Sequence, residues 1–103
     1  MQLLASEAQV LSVAFVHRET KRYLLLPVED FGTPSFEGAV REGMAKGFRF
    51  LGAIALCATA DGQPLIEDEL IEGADRENMK AARQLFLEEM ISTGTLKPGT
   101  PVN

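Results

Sequence analysis

The sequence has few of the residues from which catalytic and metal sites are built. In 103 residues it has one cysteine, one histidine and no tryptophan. A single cysteine excludes an intrachain disulfide, and one cysteine with one histidine cannot supply the four ligands of a structural zinc site. We therefore expect no disulfide-stapled scaffold, no metal and no cofactor.

Nucleophilic catalysis would have to use Cys57 and His17. A cysteine–histidine pair needs an accessible thiolate beside a base. Cys57 lies in an apolar stretch, where a thiol usually packs as a small hydrophobic side chain, and His17 lies among charged residues. No convergent set of acid, base and nucleophile is visible, so the sequence favours a binding protein over an enzyme.

Positive charge and long apolar runs are also scarce. The net charge is −5, and all of it comes from residues 51–103, because bases and acids balance in residues 1–50. This balance argues against direct nucleic-acid binding, which needs clustered Lys and Arg. The longest apolar run, 48–60, is interrupted by Arg49 and is too short to cross a bilayer, and no signal-peptide pattern precedes it. We therefore expect a cytoplasmic protein that does not contact a membrane.

The apolar content is sufficient for one folded domain. Apolar residues make up 46% of the chain and charged residues 24%, both near the average for globular proteins. We predict a single α+β domain over residues 1–103, with residues 95–103 as a flexible tail.

Local patterns predict three strands and a fourth, ambiguous segment. β-Branched and aromatic residues favour strands at 9–17, 22–28 and 48–59, whereas 64–72 fits either an edge strand or the approach to a helix. Pro27 lacks an N–H group and belongs at a strand end or on a sheet edge. In 48–59, alternation predicts two apolar faces, with these residues on the first: Phe48, Phe50, Ile54 and Leu56.

Two helices are predicted between and after these strands. Thr33 is a candidate N-cap with Pro34 at the first helical position, and Gly47 ends the helix. The second helix covers 74–93. The apolar stripes of the two helices are Phe36, Val40 and Met44, and Met79, Ala82, Phe86 and Met90. The order ββαβ(β)α predicts a sheet of three to four strands with both helices packed on one face.

Two charged clusters are the candidate binding sites. The first, the basic tip, is a turn between two predicted strands and consists of Arg18, Lys21 and Arg22. It could meet an anionic partner, although an ordinary charged turn explains it as well. The second, the acidic triplet, consists of Glu67, Asp68 and Glu69. It could dock a basic partner, and a solvated acidic face is the simpler explanation.

The sequence predicts a small non-enzymatic binding or assembly module that acts through protein–protein contacts. One alternative is a ligand-binding protein or enzyme with a pocket between sheet and helices, lined by carboxylates such as Glu37, Glu42 or Asp61. Another is an acidic decoy of a nucleic-acid-binding protein. We also expect a homodimer, because helices on one face would leave the second apolar face of the sheet uncovered.

Overall fold

The chain folds in the order ββαββα, and the computed structural model describes residues 8–30, 32–70 and 76–99. The ambiguous segment 64–72 contains a strand, and the other elements agree with their predicted ranges within a few residues. The elements are β1 (Ala8–His17), β2 (Tyr23–Pro27), α1 (Thr33–Ala45), β3 (Phe48–Ala58), β4 (Pro64–Leu70) and α2 (Arg76–Ser92).

The four strands form one antiparallel sheet in the order β2-β1-β3-β4. The predicted α+β class is therefore confirmed, with both helices packed against the sheet. Because β2 and β3 are each antiparallel to β1, they run in the same direction, and α1 is the crossover that connects them. Pro27 ends β2, which is an edge strand, as its missing N–H group predicted.

The two helices lie on opposite faces of this sheet. Phe15 of β1 belongs to the buried cluster that contains Phe36 of α1. Val16, the next residue, belongs to the cluster that contains Phe86 of α2. The expectation that both helices share one face is thus corrected. Since β1 and β3 are apolar on both sides, each side requires its own helical cover, and the uncovered face that predicted a dimer does not exist.

A β-bulge in β3 changes which of its side chains share a face. Ala14 of β1 pairs with Gly52 of β3, and the following residue, Phe15, pairs with Phe50. Leu51 is therefore the extra residue of the bulge, and strict alternation fails there. Consequently the predicted grouping of Phe48 and Phe50 with Ile54 and Leu56 is wrong. The β3 residues in the cluster beneath α1 are Phe48, Phe50, Ala53, Ala55 and Cys57.

Helix α1 lies very close to the sheet at a glycine. Its cap is Gly32, without a side-chain hydrogen bond, so Thr33 begins the helix instead of capping it. Gly43 is buried, and a Cβ atom added there would overlap the ring of Phe15. Met44, predicted for the buried stripe, is 58% exposed. The helix thus contacts the sheet through a face rotated away from Met44.

Helix α2 buries its predicted stripe completely. Met79, Ala82, Phe86 and Met90 are all buried. After the helix, the N–H group of Leu96 donates to the carbonyl of Met90 at 3.0 Å, and the Leu96 side chain packs into the same cluster. Leu96, the second residue of the predicted flexible tail, is therefore packed against the domain. The proposed cap of this helix, Asp75, lies outside the described residues.

We expect Phe86→Ala to lower the free energy of unfolding by about 3–5 kcal/mol, because the ring is completely buried and its removal leaves a cavity. Gln84→Ala, at an exposed position of the same helix, is the control and should cost less than about 1 kcal/mol. Urea denaturation of both variants measures the difference. Equal losses would contradict the assigned helix face.

Gly43→Ala should destabilise the protein by about 1–3 kcal/mol, because the added methyl group overlaps Phe15. Gly38 lies in the same helix with no atom within 4 Å of an added Cβ. Gly38→Ala should therefore stabilise by roughly 0.5–1 kcal/mol through helix propensity alone. Thermal denaturation of the pair tests the close approach of α1, and a stabilising Gly43→Ala would refute it.

Candidate functional site

The basic tip projects from the turn that joins β1 to β2. Arg18, Lys21 and Arg22 are all exposed, and Lys21 has a positive φ of 59°. His17 holds the turn, because its Nδ1 atom accepts hydrogen bonds from two backbone N–H groups at 3.3 Å. The imidazole is thereby used as a structural acceptor, and the three cations are left pointing into solvent.

The acidic triplet lies in β4, at the other edge of the sheet. Alternation places Asp68 on the α2 face, where Nη1 of Arg83 donates to its carboxylate at 2.8 Å. Glu67 and Glu69 lie on the α1 face. The Oε2 atom of Glu69 is buried and accepts no hydrogen bond. The triplet is therefore divided between two faces, and the structure does not bring it near the basic tip.

Cys57 and His17 are at opposite ends of the central strand pair. His17 pairs with Phe48, whereas Cys57 pairs with Ala8, nine residues further along β3. At about 3.3 Å per residue the two side chains are roughly 30 Å apart, which excludes a catalytic pair within one chain. Cys57 is 4% exposed. Within the described ranges, no three His, Cys, Asp or Glu side chains are grouped as metal ligands.

The carboxylates named for a ligand pocket do not converge. Glu37 lines a groove beside α1, while Glu42 is exposed and forms an ion pair with Lys46 at 3.8 Å. Asp61 lies in the β3–β4 turn, where its carboxylate accepts the hydroxyl hydrogen bond of Thr59. That hydrogen bond lowers the pKa of Asp61, with a smaller lowering contribution from backbone N–H groups.

Two surface grooves flank the sheet, and both open to solvent. One, of about 380 Å³, lies between β2 and α2 and is lined by Tyr23, Leu25 and Leu85, with Glu88 and Glu89 beside them. The other, of about 370 Å³, lies between α1 and β3. Neither encloses a ligand, so their apolar linings fit a protein surface better than a small molecule.

The β4 edge is protected against further strand pairing at residues 64–66. The N–H group of Thr59 donates to the carbonyl of Gln63 at 2.9 Å, which fixes the alternation along β4. The backbone groups of Pro64 and Ile66 consequently point away from β3, toward the outer side of the sheet. Pro64 has no N–H group to offer, and the carbonyl of Ile66 accepts a hydrogen bond from Nη2 of Arg83 at 2.9 Å. Charged side chains along the same strand complete this protection.

The β2 edge, on the opposite side of the sheet, is open to further strand pairing. The N–H group of Val28 donates to the carbonyl of Leu11 at 2.9 Å, and that of His17 to the carbonyl of Arg22 at 2.8 Å. Because backbone hydrogen bonding alternates along a strand, the N–H and C=O groups of the odd-numbered residues between them point away from β1. No charged side chain lies within β2, and no residue in the part of the chain that the structure describes bonds its outward backbone groups. These outward residues are Tyr23, Leu25 and Pro27.

β2 was not among the candidate sites predicted from the sequence, because those were chosen by clustered charge and β2 carries none. The available signal was a five-residue strand, Tyr23–Pro27, with four apolar residues and no charge. Apolar strands are usually central, and nothing in the sequence specified that this strand would lie at the edge of the sheet. Only the strand order shows that this apolar strand has an unpaired side.

Comparison of the chain with protein-family models, with curated proteins and with solved structures finds no match. Among the described residues, neither helix combines the length and apolar character needed to cross a membrane.

Thr59→Val should raise the pKa of Asp61 toward its ordinary value, because the hydroxyl hydrogen bond is the largest cause of the lowered value. A folded-state pKa below the unfolded value stabilises the protein above the unfolded pKa, and this contribution is lost as the pH falls through the folded pKa. Carbon-detected NMR titration of the Asp61 carboxyl group measures the change, with Thr20→Val as control. An unchanged titration in Thr59→Val would contradict the hydrogen bond.

Proposed function

We propose that the protein is a non-enzymatic binding or assembly module that acts through protein–protein contacts at the β2 edge. The observation that carries the proposal is the contrast between the two edges of one sheet. Each edge strand has one outward proline, but a guanidinium and charged side chains protect β4 as well, whereas β2 carries only apolar side chains and its outward backbone groups have no partner among the described residues. Monomeric proteins usually protect such an edge.

Strand addition would use both components of this edge. The outward N–H and C=O groups of β2 supply main-chain hydrogen bonds to an extended segment, and the side chains on both faces supply specificity. Leu24 and Leu26 lie on the α1 face, and Tyr23 and Leu25 lie on the α2 face. All four are partly exposed, so a fifth strand would bury apolar surface on both sides of the sheet.

The two alternatives have less support in the geometry. A ligand site or an active site needs an enclosed pocket with convergent polar groups, and the two largest described grooves are open while the named carboxylates lie apart. A decoy of nucleic acid needs its carboxylates on one exposed surface. The acidic triplet is split between two faces, and Asp68 is paired with Arg83.

The expected homodimer remains a proposal, with a different rationale. Face-to-face sheet packing has no basis once a helix covers each face, so the β2 edge is the surface through which we propose self-association. A cytoplasmic location also remains a proposal. A reducing compartment is consistent with one buried cysteine.

A benzophenone amino acid at position 25 should form a covalent adduct with the partner when the protein is irradiated in its native cells. Leu70 is the matched control position, because it is also a half-buried leucine with outward backbone groups, but on the closed β4 edge. Mass spectrometry identifies the adduct. We expect one dominant partner from position 25 and none from position 70.

Amide hydrogen exchange on the isolated complex then tests strand addition itself. The N–H groups of Tyr23 and Leu25 should become protected in the complex, because they would donate to the added strand. No adduct at position 25, or exchange at these two amides that is unchanged by the partner, would refute the proposed function.

A further inference from the structure

We infer that the partner at the β2 edge is a second copy of this chain, related by a two-fold axis that passes through Leu25. The inference rests on the proposed function of that edge and specifies its occupant. In this arrangement β2 pairs antiparallel with β2 of the partner, and two four-stranded sheets join into one of eight strands. An isologous contact of this kind closes on itself and needs no other protein.

Backbone hydrogen bonding allows a small set of registers. Only outward residues of both copies can exchange hydrogen bonds, and each β2 offers the N–H groups of Tyr23 and Leu25, because Pro27 has none. With the axis at Leu25, the two copies of Leu25 bond each other reciprocally, and each Tyr23 N–H donates to the carbonyl of Pro27 in the other copy. All four available donors are then satisfied.

A second register, in which the two-fold axis passes through Leu24, also satisfies these four donors. Strand overlap and charge favour the first register over the second. The Leu25-centred pairing overlaps the whole strand, 23–27, whereas the Leu24-centred pairing overlaps 23–25 only. In the first, the basic tip of each copy lies just beyond the end of the paired strands, on the side of Glu29 of the other copy. The longer overlap of paired backbone favours the Leu25 register, and the attraction between opposite charges at its two ends adds to this preference.

Side chains on the α2 face support the same arrangement. A two-fold axis perpendicular to the sheet keeps both α2 helices on one face of the joined sheet, so that their two grooves lie side by side. Leu85 lines this groove, and it is one of two large apolar side chains that are exposed among the described residues. Bringing the two grooves together covers it, which an isolated chain does not.

The charge distribution also places the contact at β2. The whole net charge of −5 comes from residues 51–103, while the half of the chain that contains β2 is balanced. Association through β4 would bring two acidic triplets together. Association through β2 keeps the acidic strands at the outer edges of the joined sheet and places each basic tip beside the acidic Glu29 and Asp30 of the other copy.

Sedimentation equilibrium at micromolar concentration tests the association on the full chain. We expect twice the chain mass of 11.2 kDa for the wild type and a single chain mass for Leu25→Lys. Leu70→Lys is the matched control, because it puts the same charge at a half-buried outward position of β4, and it should remain a dimer. Circular dichroism checks that both variants fold.

Cysteine cross-linking tests the position of the axis. Directly opposed residues of a bonded antiparallel pair have Cα atoms about 5.5 Å apart, within the range of a disulfide. Leu25→Cys should therefore oxidise to a covalent dimer, and Leu24→Cys should not. The reverse result would identify the Leu24-centred register and overturn the inferred axis. The wild type, whose cysteine is buried, is the control.

Charge-reversal substitutions test the proposed attraction between the basic tip of one copy and Glu29 of the other. Lys21→Glu and Glu29→Lys should each weaken the dimer about two- to thirtyfold, since two contacts between opposite surface charges are lost per dimer, and the double variant should recover most of the loss. A wild type that sediments as a single chain overturns the inference. If position 25 nevertheless cross-links another protein, the β2 edge is still a binding site, and only the second copy as its partner is refuted. If position 25 cross-links nothing, the proposed function and this inference are both refuted.

Discussion

The pairing of β1 with β3 is the constraint on which the rest of the structure depends. Both strands are apolar on their two sides, so neither side can face water. One helix on each face is the arrangement that buries both sides within a single chain. Once the faces are occupied, the outer strands provide the remaining backbone groups through which the sheet can contact another chain.

The two outer strands have opposite character because different neighbours support them. Arg83 of α2 reaches over β4 and bonds both the Ile66 carbonyl and the Asp68 carboxylate. Within residues 8–30, 32–70 and 76–99, no equivalent arginine is bonded to the backbone of β2. Asn78 of α2 accepts a hydrogen bond from the Tyr23 side-chain hydroxyl at 2.9 Å, a contact that does not use the backbone edge of β2.

Most of the fold could be predicted from the sequence, because hydrophobic periodicity and the glycines that end helices or form turns are local signals. Gly47, Gly62 and Gly94 all have positive φ, as expected for residues that end helices or form turns, and the α2 stripe is buried as predicted. The bulge at Leu51 could not be predicted, since it depends on the register between two strands distant in sequence. The exposure of Met44 follows from the close approach of Gly43, which is also a tertiary effect.

The candidate site was harder to predict than the fold, because an open edge is a property of strand order. The run from Tyr23 to Leu26 is typical of a buried strand, and its composition contains no sign that one side stays unpaired. The charged clusters, by contrast, attract attention in the sequence. In the structure they lie beside the two edges of the sheet. The acidic triplet helps to protect β4, and the basic tip borders β2.

Closure of β4 and openness of β2 have a joint consequence for assembly. If both edges were open, β4 of one copy could pair antiparallel with β2 of the next, and repetition of that contact would build an unlimited filament. The bond from Arg83 to the Ile66 carbonyl and the absent N–H of Pro64 oppose this contact. With β4 closed, β2 can pair with β2, which consumes the open edge of both copies. The asymmetry between the edges therefore permits a finite dimer and disfavours the filament that the same sheet could otherwise form.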